Sequence, residues 1–96
     1  MEFEDAEGEE SMWVLNGSGA RFPCAVFTTK IAAEKRIKAH KITGVLTRYP
    51  VNEVVFDWAI RKGLFSPKTD DDTPERVQKF TSAAQDHYHY EDGELD

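Results

Sequence analysis

The sequence has 96 residues, a net charge of −6 and one cysteine, Cys24. This length predicts a single domain with an apolar core, and one thiol excludes a disulfide within the chain. No apolar run approaches the roughly 20 residues that a membrane-spanning helix needs, and the acidic amino end does not resemble a signal peptide. We therefore expect a small soluble cytoplasmic protein that does not associate with membranes.

The negative charge is concentrated at the two ends of the chain. Residues 1–10 carry six acids and no base, and residues 91–96 carry four more acids. Residues 11–90 keep twelve bases against eight acids, so the central part is basic by about +4. We predict a disordered acidic tail over residues 1–10, one domain over 11–92 and an acidic end over 93–96. The tails can act as solubilising segments, fold back over a basic face, or meet a basic partner.

The first part of the chain predicts a hairpin followed by a helix. Two apolar stretches, 12–15 and 22–27, flank the turn sequence Asn-Gly-Ser-Gly at 16–19, which is typical of a connection between antiparallel strands. A phosphate-binding loop would continue with Gly-Lys-Ser/Thr and a helix, and neither follows here. Thr28 or Thr29 then caps a helix that runs to about His40.

This helix carries basic side chains that only Glu34 opposes, and they form our main candidate binding surface. A solvated face explains such a pattern, and the lysines toward the carboxyl end complement the helix dipole. An acidic partner, or nucleic acid that Arg21 and Arg48 also contact, remains an alternative. Ten carboxylates at the ends would repel phosphate, so nucleic acid is the less favoured partner. The basic candidates are Lys30, Lys35, Arg36, Lys38 and Lys41.

Residues 42–65 predict a strand, a turn and a helix. The strand covers 44–49 and ends at Pro50, which lacks an amide hydrogen for the ladder. Asn52 is the predicted cap of the helix, and Gly63 is its predicted left-handed end. We expect the Trp58 side chain to be sealed against the sheet, with Glu53, Asp57 and Arg61 facing water. The predicted core consists of Trp13, Phe27, Ile37, Leu46, Val55, Trp58 and Phe65.

A polar loop over 66–72 separates this helix from the last predicted elements. Its consecutive aspartates lack the alternating spacing of a calcium-binding loop. Thr73-Pro74-Glu75 has the residues that typically begin a helix, which should run through Val77 and Phe80.

The final strand alternates histidine and tyrosine at residues 87–90. In an extended chain the two histidines share one face and the two tyrosines the other. His87 and His89 could chelate a zinc or nickel ion if His40, Asp86 or Glu91 supplied further ligands. The alternative is that the tyrosines pack inward and the histidines face water. We predict no metal and no cofactor, with His87 and His89 as the candidate ligands.

These elements predict an α+β fold. The sheet should be small and largely antiparallel, with three to four strands, and two main helices and one short helix should pack on one face. The third strand is expected to pair with the first.

The collected residues resemble a family of small bacterial domains of unknown function, over residues 12–93. The resemblance implies that the histidine-tyrosine segment belongs to the domain, and it brings no activity, cofactor or catalytic residues. The matching pattern is Trp13-Val14-Leu15-x-Gly17, Ala20-Arg21-Phe22, Ala25-Val26-Phe27-Thr28, Ala33-Glu34 and Ile37, Thr43-Gly44-x-Leu46-Thr47-x-Tyr49-Pro50-Val51, Asp57-Trp58-Ala59-Ile60-x-x-Gly63-x-Phe65, Phe80-Thr81-Ser82-Ala83 and His87-Tyr88-His89-Tyr90-Glu91-Asp92-Gly93.

We predict a non-enzymatic protein-interaction module, such as a regulator or an immunity-type inhibitor, that is a monomer or a weak dimer. Tyr88 and Tyr90 join the basic side chains as candidate binding residues, and no catalytic residue is assigned. The first alternative is a metal-binding or catalytic site at His87 and His89, to which the tyrosines, Cys24 or His40 contribute. The second is nucleic-acid binding through the basic helix over residues 30–41.

Overall fold

The computed structural model describes residues 10–68 and 72–96. The predicted acidic tail lies outside the described residues except for Glu10, whose carbonyl oxygen accepts a hydrogen bond from the Val51 amide. Asp70 and Asp71 of the polar loop also lie outside them.

The described part of the chain forms three helices and a five-stranded antiparallel sheet, with the spatial order β2-β1-β3-β4-β5. The predicted α+β class and the pairing of the third strand with the first are confirmed. In chain order the elements are β1 (Ser11–Gly17), β2 (Ala25–Phe27), α1 (Lys30–His40), β3 (Gly44–Pro50), α2 (Val55–Arg61), α3 (Pro74–Lys79), β4 (His87–Glu91) and β5 (Glu94–Leu95).

The strand count of three to four was too low, because the described residues include β5. The chain turns back at Asp92 and Gly93, whose φ angles are 52° and 87°. Positive φ at both central residues is the geometry of a tight type I′ hairpin, for which Asp-Gly is a favoured sequence. Residues 93–96, predicted as an acidic end, therefore begin with a turn and a strand that pairs with β4.

The main core lies between α1 and one face of the sheet. Leu15 and Leu46 are direct cross-strand partners at its centre, and Ile37 of α1 is fully buried against them. Thr29 caps α1 as predicted, since its hydroxyl accepts the Ala32 amide at 3.1 Å. The core residues are Leu15, Ala33, Ile37, Leu46 and Tyr90, with Trp13 and Phe27 half-buried at its edge.

α2 begins later than predicted and buries a different side chain. Asn52 has a φ of 63° in the preceding turn, and Val54 occupies the cap position without a side-chain hydrogen bond. Phe56 and Ala59 are buried, whereas Trp58 is only half-buried. Apolar residues surround most of this helix, so their spacing does not reveal which side packs inward. The prediction that Trp58 is sealed against the sheet was therefore wrong.

The structure also locates the other residues that were predicted for α2 and its ends. Val55 and Phe65 of the predicted core are half-buried. Arg61 forms a two-pronged ion pair with Glu53, with nitrogen–oxygen distances of 2.8 and 3.1 Å. Gly63 follows the helix with a φ of 76°, as its predicted left-handed conformation requires.

Gly44, the first residue of β3, lies directly opposite Gly17 of β1. A Cβ atom on Gly44 would run into the backbone carbonyl of Asn16 and would lie 3.0 Å from the Gly17 Cα. Because backbone atoms can give way only if the strands separate, we expect Gly44→Ala to lower the free energy of unfolding by about 1–3 kcal/mol. Urea denaturation followed by circular dichroism measures this change.

Gly17→Ala is the matched control, because the nearest heavy atom to its Cβ would be the Ala20 Cβ at 4.0 Å. We expect Gly17→Ala to change the free energy of unfolding by less than about 1 kcal/mol. Equal losses for the two variants would show that the loss at Gly44 does not arise from the contact of the added Cβ with the Asn16 carbonyl.

Candidate functional site

Three phenylalanine rings of the described chain, one on α2, one after α2 and one directly after α3, pack against one another. Phe56 is 4% exposed, and its ring centroid lies 5.5 Å from those of both Phe65 and Phe80, in edge-to-face contacts. Phe65 and Phe80 are 4.9 Å apart at a tilt of 46°. Such geometries are the favourable ones for aromatic pairs, so the rings form a small second core away from α1.

These rings line a cleft of about 390 Å³ that opens to solvent. Its volume falls within the range of roughly 300–1,000 Å³ that is typical of ligand-binding pockets. Its rim consists of charged side chains from α3. We call this site the aromatic cleft, and its residues are Phe56, Phe65, Glu75, Arg76, Lys79 and Phe80.

The sequence around α3 explains how the charged rim is positioned. The Thr73 hydroxyl accepts the Arg76 amide at 3.3 Å, and Pro74 occupies the first turn, so the start of the helix is fixed. Glu75 and Lys79 are one turn apart and form an ion pair at 3.1 Å. The rim carries two bases and one acid, so it attracts negative charge weakly.

Other apolar side chains on α2 and its flanking turns are exposed to solvent. Val54 and Leu64 are 48% and 52% exposed, and Ile60 is 36% exposed.

The structure places the histidine-tyrosine segment on β4 with the expected alternation. Tyr88 is half-buried and Tyr90 is buried on the α1 side, whereas His87 and His89 are exposed on the opposite side. The two imidazole centroids are 5.6 Å apart. Within residues 10–68 and 72–96, no group of three or more His, Cys, Asp and Glu side chains is arranged to hold a metal ion.

The other residues considered for catalysis or metal binding have separate surroundings. His40, at the end of α1, makes a 3.1 Å contact with Arg36, and Cys24 is exposed just before β2. The aromatic cleft contains neither of these residues and neither histidine of β4.

The basic helix is partly neutralised by nearby acids. Lys30 lies 3.5 Å from Glu34, and Lys38 lies 3.3 Å from Glu94 of β5. Lys35, Arg36 and Lys41 are exposed. These two ion pairs lower the positive charge of the α1 surface around Lys30 and Lys38.

Arg48 holds parts of the sheet together. Its Nε donates to the Ser11 hydroxyl at 2.7 Å, and its Nη1 lies 3.4 Å from an Asp86 oxygen. The guanidinium also lies 6.0 Å from the Trp13 ring centroid. These contacts connect β1, β3 and the segment before β4, so Arg48 has a structural role.

Tyr90 belongs to the main core and joins a polar network at its edge. Its hydroxyl donates to Glu34 at 2.6 Å, and Lys30 lies 3.9 Å from the Tyr88 ring centroid. Burial raises the pKa of the Tyr90 phenol above its ordinary value, and the hydrogen bond to Glu34 and the charge of Glu34 add to that rise. With 4% exposure, Tyr90 offers almost no surface to a partner, unlike Tyr88.

We expect Tyr90→Phe to lower the free energy of unfolding at neutral pH by about 1.5 kcal/mol, the low end of the range for hydrogen bonds to charged groups. The raised pKa means that the native state holds the phenolic proton more tightly than the unfolded chain does. The resulting stability is complete below the unfolded pKa of about 10 and is lost as the pH rises above it.

Urea titrations between pH 7 and 11 test this dependence. The Tyr90→Phe protein should lose less stability above pH 10 than the wild type does. Tyr49→Phe is the control, since Tyr49 lies on β3 outside this network and its removal leaves the Tyr90–Glu34 bond intact. A Tyr90→Phe curve parallel to that of the wild type would contradict the assignment.

The aromatic cleft was not predicted from the sequence. The sequence predicts a short helix for Phe80 and a core position for Phe65, and Phe56 was not among the predicted core residues. The available signal was that phenylalanines stand on both sides of the polar loop over 66–72.

The antiparallel sheet, its covering helix and the aromatic cleft define a small α+β domain with a candidate binding site. None of the helices in the described residues is long and apolar enough to cross a membrane. Residues 12–96 match the model of a family described as "Domain of unknown function (DUF7710)", and the chain belongs to this family.

The predicted membership in a family of small domains of unknown function is thereby confirmed, while the bacterial origin stays a prediction. The match includes both helices of the cleft and β5. No curated protein matches the chain, and no solved structure matches it.

Proposed function

We propose that the protein is a non-enzymatic, cytoplasmic interaction module whose aromatic cleft binds an apolar side chain from a peptide segment of a partner protein. The observation that carries this proposal is the open cleft of about 390 Å³ lined by Phe56, Phe65 and Phe80. Protein interfaces obtain much of their affinity from one or two large side chains buried in such pockets.

The chemistry of the cleft favours a particular kind of peptide. Its aromatic lining suits an aromatic or branched aliphatic anchor. The rim combines Arg76 and Lys79 with Glu75, so an acidic residue next to the anchor is favoured over a basic one. Roles as a regulator or an immunity-type inhibitor are specific forms of this proposal.

A peptide library displayed on phage and selected against the protein tests the proposal. We expect the selected peptides to share an aromatic or aliphatic anchor with an acidic neighbour. Chemical-shift changes in a ¹H–¹⁵N spectrum should locate their binding at α2 and α3. Selected peptides without an apolar anchor, or shifts confined to α1 or β4, would contradict it.

Lys79→Glu is the informative variant, because the Lys79 side chain is 69% exposed and its replacement should leave the fold intact. Reversing one rim charge should weaken the selected peptides by roughly tenfold, which corresponds to about 1.4 kcal/mol. Lys35→Glu, an equal charge change on the exposed side of α1, is the control and should leave affinity unchanged at moderate salt. Equal losses in both variants would show attraction to overall charge instead of binding in the cleft.

A further inference from the structure

We infer that His87 and His89 form a binding site for one divalent transition-metal ion, with the two imidazoles as protein ligands and water in the remaining positions. This site lies on β4 and does not depend on the aromatic cleft. Several features of the segment support it.

The first feature is the tautomer of His87. Its Nδ1 lies 2.8 Å from the backbone carbonyl oxygen of Gln85. A carbonyl oxygen can only accept a hydrogen bond, so Nδ1 carries the proton and Nε2 of the neutral ring keeps its lone pair. A backbone carbonyl bound to the other ring nitrogen is the usual way in which proteins orient a metal-binding histidine.

The second feature is that this carbonyl belongs to a fixed residue. Gln85 is 4% exposed, its Nε2 donates to the Arg48 carbonyl at 3.1 Å, and its Oε1 accepts the Ser82 amide at 3.4 Å. The Asp86 carbonyl also accepts the Arg48 amide at 2.9 Å. The orientation of the His87 ring is therefore set by the junction of β3 and β4.

The third feature is the placement of His89. It follows His87 by two positions on the strand, so both rings project from the same face, and their centroids are 5.6 Å apart. The residues opposite His87 and His89 on β3 are Thr47 and Val45, and neither of them carries a charge. Both histidines are exposed, so a hydrated ion can reach them.

Imidazole nitrogen is a preferred ligand for zinc, nickel and copper ions. No group of three His, Cys, Asp or Glu side chains in the described ranges is arranged to hold a metal ion, so the inferred site is open and differs from a closed four-ligand zinc site. By the usual order of divalent affinities, Cu²⁺ should bind more tightly than Ni²⁺ or Zn²⁺.

Titration of Zn²⁺ and Cu²⁺ into protein purified without a histidine tag tests this inference. We expect one equivalent of each ion to bind saturably, measured by calorimetry, and the Cu²⁺ electron paramagnetic resonance spectrum to show two nitrogen ligands. His87→Gln and His89→Gln should each weaken binding at least tenfold. Because both side chains are exposed, their urea denaturation curves should match that of the wild type.

His40→Gln is the matched control, since His40 is also exposed but lies on α1. It should leave the affinity and the copper spectrum unchanged. Absence of saturable binding to the wild type, wild-type affinity in the His87 and His89 variants, or an equal loss in His40→Gln would each overturn the inference. Lys79→Glu should not affect metal binding, so failure of the peptide site and failure of the metal site are distinguishable.

Discussion

Phe56→Ala is expected to lower the free energy of unfolding by about 3–5 kcal/mol. The Phe56 ring is 4% exposed and packs edge-to-face on Phe65 and Phe80. Its removal leaves a cavity between α2 and α3 and takes away both aromatic contacts. The loss is a large part of the roughly 5–15 kcal/mol that stabilises a typical domain. Urea denaturation followed by circular dichroism measures it.

Phe22→Ala is the matched control, because Phe22 is 72% exposed in the segment before β2. Its removal should change stability by no more than about 0.5 kcal/mol. Trp58→Ala provides a second comparison, and we expect a smaller loss than for Phe56→Ala because Trp58 is only half-buried. A larger loss of stability for Trp58→Ala than for Phe56→Ala would mean that α2 buries its Trp58 face, as the sequence predicts.

Ile37→Ala is expected to cost about 2–5 kcal/mol. Ile37 has no exposed surface and packs from α1 onto Leu15 and Leu46 at the centre of the sheet. Pairing of β1 with β3 holds both leucines in register, so neither leucine can move to fill the cavity that the truncated side chain leaves. The midpoint of urea denaturation should fall without a change in its slope.

Ile31→Ala makes the same chemical change six residues earlier on the same helix, where the side chain is 69% exposed. Alanine is the better helix former by a few tenths of a kcal/mol, so this variant should be as stable as the wild type or slightly more stable. Similar losses for the two isoleucines would contradict the assignment of the buried face of α1.

Most of the sheet could be predicted because its strands follow short-range rules. Alternation placed the two β4 histidines on one face and the two tyrosines on the other, and Pro50 ended β3 where a ladder amide is missing. The omission of β5 had a local cause as well. Asp92-Gly93 is a recognisable hairpin signal, but residues 93–96 were interpreted only as an acidic end because of their composition.

The candidate cleft could not be predicted in the same way. Phe56 lies on α2, Phe80 directly follows α3, and Phe65 lies between those helices along the chain, so their contact depends on how these segments pack. Both α2 and α3 are short, with seven and six residues, and periodicity carries little information over so few turns. Tertiary packing therefore decides which side of α2 faces inward, and the local sequence pattern does not reveal it.

The two cleft helices lie in the chain segment that leaves the sheet after Pro50 and returns to it at His87. No strand ladder connects this segment to β1, β3 or β4 within the described residues. Regions that are joined to a fold mainly by side-chain packing open locally at lower free energy than the centre of a sheet, and their amides exchange faster with solvent. A ligand that closes the cleft would slow hydrogen exchange in α2 and α3 first, and part of its binding energy would be used to order those helices.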